Sequence, residues 1–237
     1  MAQRLKRRKR IAKKGVDDVS AQKGTVILSD FDGTISTTDL AEQVLERFAK
    51  NDWRMYLGML ERGEITLEEC VQRQFSDISA SEEEIIQFLE ERASFRPNFS
   101  MLVNACEKAG VPITVVSAGI DFVIKHFLGK NGWGSIPLHA AKTRITGHSI
   151  EFAFPPKVNK EASNFKDDIV MSHQKKGKFV VYLGDGLSDF NAIGRADAPF
   201  AVEGRSLLKH CSAVGVRCRG FSDFREVVDA LRAIGRL

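Results

Sequence analysis

Apolar strand patterns alternate with amphipathic helices along most of the chain. Runs that are rich in β-branched residues and apolar throughout occur at residues 25–29, 111–117, 178–184, 198–202 and 213–218. Such runs are typical of parallel strands covered on both faces, and an alternating stretch at 143–152 instead predicts a β-hairpin. Helical patterns separate the strands at about 99–109, 120–129, 161–175, 187–195, 204–210 and 221–233. The alternation predicts an α/β fold with a doubly wound, mainly parallel sheet.

Residues 39–97 depart from this alternation. They contain no strand pattern but several consecutive amphipathic helices, two of which begin at capping boxes at Thr66 and Ser81. We therefore expect a small helical cap over 39–97, inserted into a core made of residues 23–38 and 98–237.

Composition places the chain among globular proteins. Of its 237 residues, 43% are hydrophobic and 28% are charged, and no apolar run approaches the ~18 residues that span a bilayer. We therefore expect no membrane partner. The four cysteines include no C-x-x-C pair, which argues against a zinc site or a disulfide framework and favours a reducing cytoplasm.

The net charge of +4 is unevenly distributed. Residues 1–24 contain nine Lys or Arg and two Asp, whereas the rest of the chain has a slight excess of acids. We interpret residues 1–22 as a basic tail, which is either a solvated, disordered arm or a segment that binds nucleic acid.

Carboxylates and phosphate-binding groups follow three of the predicted strands. Asp30 and Asp32 come directly after the first strand, and Asp185 and Asp189 after the third. Ser117, in the sequence Ser-Ala-Gly, ends the second strand where a helix begins. Ligands of open α/β sheets bind at this edge of the sheet. A cluster of carboxylates without His or Cys ligands favours a hard cation such as Mg²⁺, which suits a phosphate group.

These residues resemble four ordered motifs of the haloacid dehalogenase superfamily of phosphatases. The motifs are DFDGT (30–34), Ser117 in VVSAG, Lys166 and GDGLSD (184–189). The helical insert after the first motif is similar to the cap of the phosphoserine phosphatase branch, which includes the methionine-salvage enol-phosphate phosphatases. The resemblance implies a Rossmann-like core and a Mg²⁺-dependent phosphomonoesterase of small metabolites.

The resemblance also implies roles for the acidic residues. Asp30 would be the nucleophile that forms an aspartyl-phosphate. Asp32 would act as general acid for the leaving alcohol and then as general base for water. Mg²⁺ would be held by the carboxylates of Asp30 and Asp185 and by the backbone carbonyl of Asp32. Asp189 would either bind the ion as well or contact the residues that bind it.

The phosphate-binding roles are implied in the same way. Ser117 and the amide of Gly119 would bind phosphoryl oxygens, although Ser117 could instead be an ordinary helix N-cap. Lys166 would be catalytic, neutralising charge on the nucleophile and on the transferring phosphoryl group.

Two charged residues are candidates for substrate specificity. Asp39 stands where the phosphoserine branch has a Glu that meets the substrate amine, although it could simply cap the first cap helix. The position of the branch's carboxylate-binding Arg holds Gln74, with Arg73 beside it. The alternatives to a phosphoserine phosphatase-like enzyme are a methionine-salvage enol-phosphate phosphatase, a phosphotransferase, and a nucleic-acid-associated protein that uses the basic tail. The sequence predicts no oligomeric state.

Overall fold

A six-stranded parallel sheet forms the centre of the described chain. The structure is a computed structural model that describes residues 24–237. In spatial order the strands are β3 (Leu138–Ala140), β2 (Ile113–Ser117), β1 (Thr25–Ser29), β6 (Phe179–Gly184), β7 (Ala198–Val202) and β8 (Arg219–Phe221). Every neighbouring pair is parallel, and the predicted fold class is confirmed.

Six α-helices of the described chain, all after residue 98, accompany this sheet. They are α5 (Phe99–Ala109), α6 (Asp121–Lys130), α7 (Phe165–Lys175), α8 (Phe190–Arg195), α9 (Ser206–Val214) and α10 (Phe224–Ala233), and a short 3₁₀ turn over Leu187–Asp189 precedes α8. The central strands β1 and β6 are almost completely buried, as expected for parallel strands between two layers of helices.

Four further helices lie between β1 and α5. They are α1 (Leu40–Phe48), α2 (Arg54–Glu61), α3 (Leu67–Gln74) and α4 (Glu82–Glu90). The capping boxes predicted at Thr66 and Ser81 begin α3 and α4, and each has both of its reciprocal hydrogen bonds. The structure thus has consecutive helices in the part of the chain where the pattern predicted them.

The predicted hairpin is present and contacts these helices. It consists of β4 (Lys142–Thr146) and β5 (Ser149–Ala153), paired antiparallel. The backbone N–H of Ile150 donates to the carbonyl of Phe75 at 3.0 Å, just after α3 ends. The N–H of Phe152 donates to the side chain of Gln72 at 3.0 Å. The hairpin therefore holds α3 against the core.

One predicted strand is wrong, and two strands of the sheet, β3 and β8, were not predicted. Residues 213–218 do not form a strand, because Ala213 and Val214 end α9 and Gly215 then adopts a left-handed conformation with φ of 75°. The edge strand is β8, which starts only at Arg219. Strand β3 was missed because its three half-buried residues, Leu-His-Ala, do not form an apolar run.

Three sequence-based predictions concern features other than the sheet. The prediction of a basic tail over residues 1–22 lies outside the described residues. None of the described helices combines the length and the apolar character that a membrane crossing requires. The four cysteines are free thiols.

Candidate active site

Three neighbouring parallel strands end at one edge of the sheet and bring the predicted carboxylates together. The backbone N–H of Asp30, just after β1, donates to the carbonyl of Leu183 in β6 at 2.8 Å. Side-chain oxygens of Asp30, Asp185 and Asp189 lie within 4.8 Å of one another. Asp30 therefore forms one acidic cluster with Asp185 and Asp189, which lie 155 and 159 positions further along the chain.

Lys166 supplies the positive charge of this cluster. Its ammonium lies 2.8 Å from Oδ1 of both Asp30 and Asp189 and donates to Oγ of Ser188 at 3.0 Å. The side chain is 1% exposed. Burial lowers the pKa of Lys166, but the charges of Asp189 and Asp30 outweigh this effect and raise it above its usual value. Lys166 is therefore protonated at neutral pH.

Helix α7 positions Lys166 through its N-terminus. The side chain of Asn164 caps this helix by accepting from the N–H of Asp167 at 2.9 Å. Lys166 stands in the first turn, so the cap fixes where its backbone begins. The carboxamide of Asn164 also donates to the carbonyl of Ser188 at 3.4 Å, which ties the start of the helix to the acidic loop.

Asp189 has both carboxylate oxygens occupied by hydrogen bonds. Oδ1 accepts from Lys166 and from the hydroxyl of Tyr182 at 2.7 Å. Oδ2 accepts from the N–H groups of Asp185 and Gly186 at 3.1 and 3.3 Å. A Cβ atom at Gly184 would lie 2.6 Å from Cγ of Asp189, so this close packing requires glycine. Asp189 thus orients the loop that carries Asp185.

The cluster has more negative charge than Lys166 can neutralise. Burial, and then the charge of Asp189, raises the pKa of Asp30 to about 7. Burial, and then the charge of Asp30, raises the pKa of Asp185 to about 8. Gly33, with φ of 73°, brings the loop after β1 so close to Asp185 that a Cβ atom would overlap its carboxylate. Oxygen donors crowded in this way are suited to a divalent cation.

Asp32 lies beside the cluster in a different environment. Its Oδ1 accepts from the N–H of Leu40 at 3.0 Å, and its Oδ2 is 3.4 Å from Oγ of Ser117. Burial, and then the charges of Asp39 and Asp30, raises the pKa of Asp32 well above its usual value. A raised pKa favours the protonated form of a carboxyl group, which is the form that a general acid requires.

Ser117 and Gly119 form a short polar turn between β2 and α6. Oγ of Ser117 accepts from the N–H of Gly119 at 3.0 Å, and a Cβ atom at Gly119 would lie 2.2 Å from Oδ2 of Asp32. Helix α6 has Ile120 as its N-cap residue. The alternative that Ser117 is an ordinary helix N-cap is therefore wrong.

Two arginines outside the predicted set hold the loop that follows β1. Arg96 donates to the carbonyls of Gly33 and Thr34, both at 2.8 Å. Arg205 donates to the carbonyl of Thr37 at 2.6 Å. Its Nε is 3.8 Å from Oδ2 of Asp185. Neither arginine was predicted, because both act through tertiary contacts with backbone carbonyls and belong to no local motif.

Helices α1, α2 and α3, with the residues that adjoin them, form one wall of the pocket. This wall is mostly apolar and includes Leu45, Trp53, Leu57, Leu67, Val71 and Phe75. Among residues 24–237, Lys166 is the only Lys or Arg that lines the pocket. The polar lining residues contributed by α1 and α3 are Glu42 and Gln74, and Asp39 precedes α1.

The two candidate specificity residues have different positions. Asp39 lines the pocket and also caps α1, where its Oδ1 accepts from the N–H of Glu42 at 2.7 Å. Arg73 is exposed and does not line the pocket. Its neighbour Gln74 is 6% exposed and does. The structure therefore brings Asp39, but not Arg73, to the other predicted residues.

The family of the chain follows from comparison with known sequences. Residues 27–193 match the family of haloacid dehalogenase-like hydrolases. Because the match covers more than half of the chain, the chain belongs to this family and is an enzyme of the hydrolase class. The resemblance drawn from the four motifs is confirmed.

Particular relatives and solved structures define this similarity more closely. The 2-hydroxy-3-keto-5-methylthiopentenyl-1-phosphate phosphatase of Brevibacillus brevis is 24% identical over 217 residues, covering 90% of this chain and 97% of that protein. The bifunctional enzyme MtnB/MtnX of Bacillus licheniformis is 29% identical over 207 residues, covering 85% of this chain. Those residues are 48% of the bifunctional enzyme, so the chain spans about half the length of that relative. A phosphoserine phosphatase structure, described as a phospho-aspartyl intermediate analogue, has a similar fold, with a TM-score of 0.64, 19% identity and coverage of 88% of this chain and 99% of that one.

Proposed function

We propose that this protein is a Mg²⁺-dependent phosphomonoesterase that acts through an aspartyl-phosphate. The observation that carries the proposal is the pairing of Asp30 with Lys166 at 2.8 Å in the same pocket as Asp32 and Ser117. A nucleophile, a charge-neutralising ammonium, a proton donor and a hydroxyl for phosphoryl oxygens are thus within reach of one phosphate group.

The first half-reaction transfers the phosphoryl group to the enzyme. A carboxylate oxygen of Asp30 attacks phosphorus, and the bond between phosphorus and the leaving oxygen breaks. Asp32 donates its proton to that oxygen, so that the leaving group departs as a neutral alcohol or enol. Lys166 offsets the repulsion between the anionic carboxylate and the anionic phosphate.

The second half-reaction restores the enzyme. Asp32, now ionised, takes a proton from water, which attacks the phosphorus of the aspartyl-phosphate. The bond between phosphorus and the Asp30 oxygen breaks, and inorganic phosphate leaves. Ser117 and the N–H of Gly119 bind phosphoryl oxygens in both steps. Asp32 returns to its protonated state and completes the cycle.

The residues present fit a Mg²⁺ ion. The donor set consists of oxygens alone, and burial, together with the charges of the neighbouring carboxylates, raises the pKa values of Asp30 and Asp185. Asp30, Asp185 and the carbonyl of Asp32 would hold the ion, with Asp189 behind them. When bound, Mg²⁺ stabilises the negative charge that develops on the transferring phosphoryl group.

The leaving group of the substrate is small and largely apolar in this proposal. A carboxylate on the leaving group, as in phosphoserine, would have no Lys or Arg to bind on the described pocket wall besides Lys166, which already contacts two acids. The apolar wall favours a substrate such as 2-hydroxy-3-keto-5-methylthiopentenyl-1-phosphate, named for the Brevibacillus relative. We propose this class first and phosphoserine second.

Phosphate release from a panel of phosphomonoesters, with Mg²⁺ and with chelator, tests the proposal. We expect release that requires Mg²⁺ and a higher kcat/KM for enol and keto phosphates than for phosphoserine. Addition of an acceptor alcohol separates hydrolase from phosphotransferase: a phosphotransferase would form the phosphorylated alcohol at the expense of inorganic phosphate. No phosphate release from any ester would contradict the proposal.

A further inference from the structure

Gln74 is a buried polar residue whose side chain has no partner in the described protein. It ends α3 and is 6% exposed. Its backbone carbonyl accepts from the side chain of Asn51 at 3.2 Å. The carboxamide itself makes no hydrogen bond with any residue from 24 to 237. Because Gln74 lines the pocket, solvent or a bound group can reach this unpartnered carboxamide.

The position of Gln74 on its helix directs it to the pocket. Leu67, Cys70, Val71 and Gln74 all line the pocket, and their spacing of three, one and three residues places them on one face of α3. The three other members of this face are apolar. Gln74 therefore offers an NH₂ donor group and an oxygen acceptor on a helix face that is otherwise apolar.

The charges around Gln74 indicate what it could bind. The acids Asp39 and Glu42 line the same pocket on the side of α1. Within the described residues, the only lining cation is Lys166, which is bound to Asp30 and Asp189. An anionic group near Gln74 would meet acids and no free cation, whereas a neutral carbonyl or hydroxyl oxygen can pair with the carboxamide.

We propose that Gln74 is a specificity-determining residue that hydrogen-bonds a neutral carbonyl or hydroxyl oxygen on the leaving group. The apolar residues of the same helix face contact the rest of that group. This inference rests on the proposed function, since it assigns the leaving group of the same reaction. It excludes carboxylate-bearing leaving groups from the preferred class.

Binding of non-hydrolysable phosphonates tests the inference without requiring turnover. Two probes differ only in the proposed contact: 3-oxoheptylphosphonate has a carbonyl, and heptylphosphonate has none. Calorimetry with Mg²⁺ compares their Kd values for the wild type, for Gln74→Met and for the control Gln87→Met. Methionine keeps the length of glutamine but has no amide. Gln87 is an exposed glutamine on α4 outside the pocket.

We expect the wild type and Gln87→Met to bind the keto probe about tenfold more tightly than the alkyl probe, as one hydrogen bond allows. Gln74→Met should lose this preference and bind the alkyl probe as before. Gln74→Glu separates a binding role from a merely structural one. A carboxylate can accept a hydrogen bond from a hydroxyl but cannot donate one to a ketone, so a binding role predicts a changed preference between the two probes. Gln74→Glu should prefer 3-hydroxyheptylphosphonate to the keto probe.

Three results would overturn the inference: no keto preference in the wild type, a preference that survives in Gln74→Met, or equal weakening of both probes by that variant. Thermal unfolding of each variant shows that it is folded when binding is measured. Hydrolysis of 2-oxohexyl phosphate by the wild type is followed separately. If the binding preference is present but no ester is hydrolysed, the proposed function fails, and Gln74 is shown to bind the neutral oxygen without selecting a substrate for hydrolysis.

Discussion

The ammonium of Lys166 lies 2.8 Å from the carboxylate of Asp30, although 136 residues separate the two in the chain. The pair is buried, with side-chain exposures of 1% and 5%. A buried ion pair contributes little net stability on its own, but removal of one partner leaves an uncompensated buried charge. Substitution of Lys166 should therefore affect both the stability of the fold and the reactivity of Asp30.

Lys166→Met should destabilise the protein because Asp30 and Asp189 then repel each other without a counter-charge. We expect a loss of about 3–5 kcal/mol in the free energy of unfolding, measured by urea denaturation in the presence of chelator. The matched control is Lys125→Met, which removes the exposed cation of an ion pair with the largely buried Asp121 on α6. Thr143 also donates to Asp121, so this change should cost less than about 1 kcal/mol. Equal losses in the two variants would contradict this account of Lys166.

The raised pKa values of Asp30 and Asp185, about 7 and about 8, predict how stability depends on pH and metal. Both values exceed that of an unfolded Asp, so the folded protein binds protons more tightly than the unfolded chain. Without metal, this contribution to stability is complete below about pH 4 and is lost as the pH rises through 7 to 8.

Mg²⁺ competes with these protons, so its effect on Tm should grow with pH. We expect Mg²⁺ to raise Tm more at about pH 8.5 than at about pH 5.5, because ionised carboxylates bind the cation. Differential scanning calorimetry with Mg²⁺ or chelator at both pH values measures this difference. Asp185→Asn should reduce the Mg²⁺ effect at high pH. A shift of equal size at both pH values would be evidence against the proposed ligands.

Asp39→Asn should change the pH profile of the reaction. Burial is the largest cause of the raised pKa of Asp32, and the charge of Asp39 is the next. Asparagine caps a helix as well as aspartate does, so α1 is retained while the charge is lost. The pKa of Asp32 should fall, and the alkaline limb of kcat/KM should move to lower pH because Asp32 must be protonated.

Glu46→Gln is the control for this profile, since Glu46 is an exposed acid on the same helix, paired with Arg54. Its alkaline limb should coincide with that of the wild type. An unchanged limb in Asp39→Asn would mean that the charge of Asp39 does not act on Asp32 during catalysis.

Deletion of residues 1–22 should leave the chemistry intact. Within the described chain, the residue nearest the N-terminus that lines the pocket is Asp30, and the sheet begins at Thr25. We expect kcat on a small substrate to stay within about threefold, a change in barrier below ~1 kcal/mol. If the basic segment binds RNA, the full chain should be retained on RNA at low salt and the truncated chain should not. A large loss of kcat would place the segment in the catalytic assembly.

Much of the sheet and the acidic cluster could be predicted because local patterns encode them. Fully apolar runs identified β1, β2, β6 and β7, which are buried in the middle of the sheet. The edges were harder to predict, because an edge strand need not be apolar on both faces. Residues 213–218 were assigned to a strand for their valines, although Gly215 ends a helix there.

The pocket wall depends on tertiary packing and was only partly predictable. Arg73 was predicted to contact the substrate because it is charged and stands beside Gln74. A helix turns by about 100° per residue, so two neighbouring residues lie on different faces. The spacing of Leu67, Cys70 and Val71 predicts a helix face that includes Gln74 and excludes Arg73. The hydrogen bond from Tyr182 to Asp189 has no local pattern at all, because an apolar strand gives no sign of which hydroxyl meets a distant carboxylate.

The central claim is that Asp30 becomes phosphorylated during turnover. The enzyme is mixed with Mg²⁺ and an ester that it hydrolyses, and the reaction is quenched with acid during turnover. Peptide mass spectrometry then detects the phosphorylated residue directly. We expect one added phosphoryl group on the peptide that contains Asp30, and Asp30→Asn should lose at least about 10³-fold in kcat, or ~4 kcal/mol of barrier. The exposed control Asp229→Asn on α10 should retain both label and rate. Label on another residue, or more than a tenth of the wild-type rate in Asp30→Asn, would contradict the account.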